Sequence, residues 1–149
     1  MARNQAYIDA PPAAVFAVLS DADNYAEWVV GSRTIRDADA GFPAVGTKFH
    51  HQVGIPPLLL NDHTEVLENQ APSRLVLQAK TRPFATARVE LQLAAEGRGT
   101  RVTMLEGAGD TFSHLVMNRL TDPLLRLRNA RSLDRLRRLA ERRASAARG

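Results

Sequence analysis

The segment Ala85–Gly107 reads ATARVELQLAAEGRGTRVTMLEG, and its pattern predicts a β-hairpin. Apolar and polar side chains alternate on both sides of a central Gly97-Arg98-Gly99 turn, as expected of strands with one face in a core. The inward-facing positions are Ala87, Val89, Leu91, Leu93, Val102, Met104 and Glu106. Strands joined by so short a turn run antiparallel, which excludes a parallel sheet of the Rossmann type.

The same alternation extends upstream of the hairpin as far as Arg33, with glycine- or proline-rich turns between the strands. Over Thr47–Val53 it places Phe49, His51 and Val53 on one face. Predicted strands cover residues 3–9, a stretch around Ile35, and residues 47–53, 58–68, 74–80, 85–95 and 100–107. Together they form an antiparallel meander.

Two short helices are expected between the first and second strands. Pro11 or Pro12 suits the first turn of a helix, and apolar residues follow at helical spacing as far as Leu19. Asp21 is placed to cap a second helix that ends at Trp28.

A long amphipathic helix is predicted after Gly109, where the period changes to 3.6. Its apolar positions are Leu115, Val116, Leu120, Leu124, Leu127, Leu133, Leu136 and Ala140. At Thr121-Asp122-Pro123 either this helix kinks or a second helix begins, capped by Asp122. The arginines predicted on its solvent side are Arg126, Arg128, Arg131, Arg135, Arg137 and Arg138. Residues 144–149 are expected to fray.

These elements predict a single α+β domain over residues 1–149. A curved antiparallel sheet of about seven strands would wrap around the long C-terminal helix, with the two short helices between strands 1 and 2. Because a curved sheet bends away from a straight helix, the gap between them is expected to form an apolar pocket.

The composition excludes several classes of site. There is no cysteine, and therefore no disulfide, thiolate nucleophile or iron–sulfur cluster. The N-terminal residues lack the apolar stretch of a signal peptide, and the longest apolar run, Ile55–Leu60, is too short to span a bilayer, so we expect a cytoplasmic protein. With no phosphate-binding, dinucleotide-binding or zinc-protease motif, we expect no metal ion and no organic cofactor.

Charge is concentrated at the C-terminal end. Residues 1–123 carry 11 basic and 14 acidic side chains, whereas residues 124–149 carry nine arginines against Asp134 and Glu141. A nucleic-acid-binding protein would be more uniformly basic, so nucleic acid is not an expected partner. The arginine-rich helix is either a solvated face or a surface that contacts anionic lipid or another protein.

The chain resembles the polyketide cyclase/dehydrase branch of the START-like (SRPBCC) superfamily, which has the Bet v 1-like helix-grip fold. The resemblance is carried first by Ile8-Asp9-Ala10-Pro11-Pro12-Ala13-Ala14-Val15-Phe16, and then by Asp21, Tyr25, Glu27 and Trp28. Further similar segments are Val45–Phe49, Pro72–Leu75, Gly99–Glu106 and Leu133–Leu139. Together they span nearly the whole chain.

The resemblance implies a protein that binds a hydrophobic small molecule, such as a lipid, polyketide, isoprenoid or aromatic metabolite. One alternative is a polyketide cyclase or dehydratase that uses the same cavity without a metal or organic cofactor. A second alternative is a module that contacts a membrane or a protein through the arginine-rich helix. Since one fold hosts all these functions, the fold does not choose among them. A monomer or a homodimer is compatible with each.

Two polar side chains on apolar strand faces are candidates for acid–base catalysis. His51 titrates in a useful range, and Glu106 would be a carboxylate in apolar surroundings. The simpler interpretations are a hydrogen-bonded cavity histidine and, for Glu106, a strand end in solvent or an ion pair with an arginine. His63, which shares a face with Glu65, fits a solvated strand face.

The residues expected to line the pocket are Trp28, Phe49, His51, Val53, Val89, Leu91, Met104, Glu106, His114 and Asn118. Trp28 would either stack on a ligand at the pocket rim or close the core. His114 and Asn118, four residues apart, would face the cavity mouth together. The Ile55–Leu60 hairpin would form a pocket lip, touch a membrane surface while lipid is loaded, or be ordinary strand core.

Overall fold

A computed structural model describes residues 2–30, 32–55, 58–81, 85–108 and 122–148. Within these ranges, the side chains of residues 32–34, 36, 53–55, 58–61, 81, 85, 122 and 148 are not described.

Seven strands in the described residues form one antiparallel sheet. They are β1 (Ala2–Ile8), β2 (Ser32–Ala38), β3 (Lys48–Ile55), β4 (Leu58–Gln70), β5 (Arg74–Thr81), β6 (Ala85–Glu96) and β7 (Gly99–Ala108). Their order is β1-β7-β6-β5-β4-β3-β2. The meander is confirmed, and β1 adds to its far edge beside β7, with Ala2 opposite Glu106.

The predicted Gly97-Arg98-Gly99 turn between β6 and β7 is confirmed. Gly97, with φ +58°, has the left-handed conformation that glycine adopts most readily. Gly99 allows a close approach, because a Cβ there would collide with the carbonyl oxygen of Ile8 and the ring of Tyr7.

The two short helices are present between β1 and β2. Helix α1 is Pro12–Leu19, with proline in its first turn, and α2 is Tyr25–Trp28. A 3₁₀ turn over Ala22–Asn24 joins them, and the Asp21 carboxylate caps it by accepting from the Asp23 N–H at 3.1 Å.

Helix α3 (Asp122–Arg148) lies along β1. The Asn4 side chain donates to the Arg126 carbonyl at 3.0 Å, and the Asp9 N–H donates to Glu141 at 2.8 Å. Residues 109–121 lie outside the described residues, so the choice between a kink and a second helix at Thr121-Asp122-Pro123 stays a prediction. Leu115, Val116 and Leu120 lie outside the described residues.

Two expectations about α3 are wrong. Leu124 and Leu127 are 71% and 52% exposed instead of buried. At about 100° per residue they lie on the far side of the helix from Leu133 and Leu136, which enter the core. The helix also continues to Arg148 and buries Ala144, so fraying does not begin at residue 144.

The core lies between the inner face of the sheet and the helices. Leu75, Leu91 and Met104 form one buried row across β5, β6 and β7. Leu133 and Leu136 of α3 belong to the same apolar cluster. Burying such side chains is the main favourable term in folding.

Glu90 lies on the outer face of β6, as the alternation predicts, and yet it is buried. Arg74 donates to it at 3.0 and 3.2 Å, and Gln92 donates at 2.6 Å. These hydrogen bonds, chiefly that from Arg74, lower the pKa of Glu90 to about 2. Arg74 and Arg88 also contact Glu68, so alternating charges cover this part of the outer face.

Candidate functional site

The inner face of the sheet carries a row of short side chains next to the rows of large ones. Its members are direct cross-strand partners from β4 to β7: Thr64, Ala79, Ala87 and Ala108. Partners directly opposite each other share one face of a sheet. The neighbouring row on the same face carries larger side chains, those of Val66, Leu77, Val89 and Glu106.

The side chain of His51, on β3, lies beside this row of short side chains. It is 6% exposed, and its Nε2 lies 3.1 Å from the Thr64 hydroxyl, within the row of short side chains. Its cross-strand partner is Asp62, which is also buried. The prediction that His51 faces inward is confirmed. On the other face of β3, the half-buried rings of His50 and His63 lie 5.9 Å apart.

Glu106 is the second candidate, and it is 4% exposed. Its Oε2 lies 3.6 Å from a terminal nitrogen of Arg128, whose Nε donates to the Val30 carbonyl at 3.1 Å. The structure therefore shows the ion pair and excludes a strand end in solvent. Arg128, predicted on the solvent side, is the arginine of that pair and is only partly exposed.

A third polar group on the inner side was missed by the sequence analysis. Asn129 of α3 is completely buried. Neither the oxygen nor the nitrogen of its amide has a hydrogen-bond partner among the described residues. The same is true of Glu106 Oε1 and of Trp28 Nε1. A buried polar atom without a partner costs about 1–3 kcal/mol, so such atoms are normally hydrogen-bonded in a folded protein. The available signal was the position of Asn129, four residues before Leu133 on the apolar face.

Trp28 does not lie at a rim. It is 1% exposed, and its ring packs against Tyr25 with 5.3 Å between centroids. Tyr25 also packs against Phe49 at 4.8 Å, and Phe49 against His51 at 5.4 Å. Of the two interpretations of Trp28, closing the core is the one the structure supports.

Burial also raises the pKa of Tyr25 far above its usual range. Its hydroxyl therefore stays protonated and donates to the Leu19 carbonyl at 2.7 Å. This bond holds α2 against the end of α1 and keeps the aromatic cluster in place.

The remaining predicted lining residues divide into two groups. Leu91 and Met104 are buried in the apolar core, and Val89 is half-buried against it. The side chain of Val53 is not described, and His114 and Asn118 lie outside the described residues, as does part of the Ile55–Leu60 hairpin.

Within the described part of the chain, no group of three or more histidine, aspartate or glutamate side chains converges as a metal site would require. None of the described helices is long and apolar enough to cross a membrane.

A family model described as polyketide cyclase/dehydrase and lipid transport matches residues 2–141. The chain belongs to this family. The match covers every described strand and α3 as far as Glu141, so it includes the row of short side chains, His51, Glu106 and Asn129. The resemblance drawn from the sequence is confirmed. No curated protein matches the chain.

Solved structures share the fold of this family member. The Zhui aromatase/cyclase from Streptomyces sp. R1128 has a TM-score of 0.73 at 15% identity, with 99% of this chain and 96% of that chain covered. The di-domain ARO/CYC StfQ from the steffimycin biosynthetic pathway has a TM-score of 0.73 at 12% identity, with 96% and 51% covered. Protein SA2116 of unknown function from Staphylococcus aureus has a TM-score of 0.72 at 9% identity, with 96% and 94% covered. At such identities the likeness establishes the helix-grip fold alone.

Proposed function

We propose that this protein binds a hydrophobic small molecule that carries at least one polar group, in the space between the sheet and α3. The observation that carries the proposal is the completely buried amide of Asn129, for which the described residues provide no hydrogen-bond partner. An apolar ligand body with one polar end would fill the space and satisfy that amide. A lipid, polyketide, isoprenoid or aromatic metabolite meets this description.

Residues on the inner face of β6 and β7 also support the proposal. Glu106 lies two residues before Ala108 on β7, and Val89 lies two residues after Ala87 on β6. The row of short side chains would take the body of the ligand, and Glu106 would face its polar end. Val53, His114 and Asn118 remain predicted contacts of the same ligand.

Native mass spectrometry tests this function. The purified protein is examined alone and after incubation with a panel of fatty acids, isoprenoid alcohols and anthraquinones. We expect one member of the panel to bind in a one-to-one complex that survives desolvation. Absence of any complex, together with absence of a copurified ligand, would overturn the proposal.

A matched pair of variants tests the role of Asn129. Asn129→Leu removes the buried amide, whereas Gln5→Leu removes an amide that is exposed on the outer side of β1. We expect the first to weaken the complex at least tenfold and the second to leave it unchanged. Equal effects of the two variants would separate Asn129 from the ligand.

A second candidate function is a cyclase or dehydratase reaction in the same cavity. The observation that favours it is the buried His51, with Thr64 at hydrogen-bond distance. A neutral imidazole there would take a proton from a carbon next to a carbonyl, and the imidazolium so formed would return that proton to the leaving hydroxyl group. One of the structural neighbours, Zhui, is named an aromatase/cyclase.

Turnover of a linear poly-β-ketone thioester tests that reaction. We expect cyclised product with the wild type and a loss of at least a hundredfold in His51→Gln. His50→Gln is the matched control, because it removes the neighbouring imidazole from the opposite face of β3. Equal rates for wild type and His51→Gln would remove His51 from the chemistry.

A further inference from the structure

One side of α3 carries exposed residues that neither the core nor the proposed pocket uses. They recur at spacings of three and four residues: Leu124, Leu127, Arg131, Arg135, Arg138 and Arg142. We call this set the Leu–Arg face. At about 100° per residue its members fall within about 80° of arc, and they extend along about 27 Å of helix.

The apolar part of this face lies at one end. Leu124 is 71% exposed and Leu127 is 52% exposed, in the first turns of the described helix. They are the two most exposed large apolar side chains of α3. The basic part follows directly, beginning with Arg131.

The charge of the face is not cancelled by the two acidic residues near it. Arg137, which lies outside the face, contacts Asp134 at 2.8 Å and Glu141 at 3.1 Å. Asp134 also contacts Arg138 at 2.9 Å. Among the described residues, no ion pair engages Arg131 or Arg135, so the face is basic beyond its leucines.

We propose that the Leu–Arg face docks this protein on an anionic lipid bilayer, with Leu124 and Leu127 inserted among the lipids. Exposed leucines beside arginines match the apolar and anionic layers of such a surface. Nucleic acid would pair with the arginines but offers no apolar layer for the leucines, and it is therefore the less complementary partner.

The position of the face connects docking to the proposed function, on which this step rests. Leu127 precedes Arg128, whose guanidinium contacts Glu106 at the polar part of the candidate site. A bilayer against the leucine end would therefore lie beside the turn of α3 that carries this contact. A hydrophobic ligand would pass between the bilayer and the pocket by a short path.

Vesicle flotation with the full chain tests docking. The vesicles are phosphatidylcholine alone or phosphatidylcholine mixed with phosphatidylglycerol. We expect binding at least tenfold stronger to the mixed vesicles, and weaker binding as salt is added. Equal binding to both kinds of vesicle, or no binding to either, would overturn the proposal.

Three double variants locate the surface. Leu124→Gln/Leu127→Gln and Arg131→Gln/Arg135→Gln should each weaken binding to the mixed vesicles about tenfold or more. Arg98→Gln/Arg101→Gln removes the same charge from the β6–β7 hairpin region and should have little effect. A similar loss in the two arginine variants, with no loss in the leucine variant, would mean that net charge alone is responsible, and the proposal would be wrong.

Two further measurements separate the alternatives. If the double leucine variant changes the sedimentation coefficient, the Leu–Arg face binds a second copy of the protein. If the double arginine variant abolishes binding to DNA or RNA, and vesicles do not bind at all, the face binds nucleic acid. Either result contradicts docking on lipid. Native mass spectrometry of the same variants reports ligand binding separately, so retained ligand without vesicle binding overturns only docking, and vesicle binding without any ligand overturns only the proposed function.

Discussion

The guanidinium of Arg128 on α3 lies 3.6 Å from the buried carboxylate of Glu106 on β7. This contact joins the long helix to the sheet at the polar end of the candidate site. The same arginine donates to the carbonyl of Val30, two residues after Trp28. One side chain therefore links the helix, the sheet and the segment that follows α2.

Removing the arginine should leave Glu106 as a buried charge with no partner. We expect Arg128→Met to lower the free energy of unfolding by about 2 kcal/mol, less than for a fully buried pair because Arg128 reaches solvent. Glu106→Gln/Arg128→Met should recover most of that loss, since it removes both charges. Urea denaturation of the single and double variants measures the coupling, and simple additivity would contradict the contact.

The buried carboxylate of Glu90 should make stability depend on pH. Its pKa is lowered to about 2 in the folded protein, so the stabilisation is present above the unfolded value near 4.5 and is lost as pH falls from there through about 2. At about 1.4 kcal/mol per pH unit, the loss is on the order of 3 kcal/mol. Glu90→Gln should flatten this part of the stability profile.

A matched control for Glu90 lies on the same strand. Glu96 pairs with Arg101 at 2.9 Å, but its side chain is half exposed. Glu96→Gln should therefore change the loss of stability at low pH much less than Glu90→Gln does. Urea midpoints measured between pH 2 and pH 6 test both variants. A profile in Glu90→Gln as steep as in the wild type would show that other carboxylates carry the effect.

Shortening a leucine side chain should lower the stability of the protein on one side of α3 and not on the other. Leu136→Ala opens a cavity in the core and should cost about 2–5 kcal/mol. Leu127→Ala shortens an exposed side chain and should change stability by about 0.5 kcal/mol or less. Thermal and urea unfolding of the pair measure the contrast. If Leu127→Ala cost as much as Leu136→Ala, Leu127 would be a core residue.

Asn129 should contribute more to ligand binding than to the stability of the fold. Its amide is buried and has no hydrogen-bond partner in the described part of the chain, so Asn129→Leu should leave the free energy of unfolding unchanged or raise it by about 1 kcal/mol. Loss of ligand with retained stability is the expected combination. A destabilisation as large as that of Leu136→Ala would show instead that the amide is satisfied in the folded protein.

The sequence by itself determined the order and type of the main elements. Period-two alternation identified the strands because each residue of a strand faces opposite to the next, and glycines marked the turns. The same local rule placed His51 on the inner face and His50 on the outer one, as the structure confirms. The residues Ile8–Trp28 carried the family resemblance, since they encode the helix entry after β1.

Only the tertiary structure decided which polar groups meet. Arg128 and Glu106 lie in different elements, and no local spacing relates them. Helical periodicity alone assigned Leu124 and Leu127 to the core and missed Asn129. Which side of α3 is buried depends on how the helix lies along β1, which the contacts Asn4–Arg126 and Asp9–Glu141 set. Strand alternation follows from the backbone of one segment, whereas helix rotation and long-range pairing depend on contacts between segments distant in the chain.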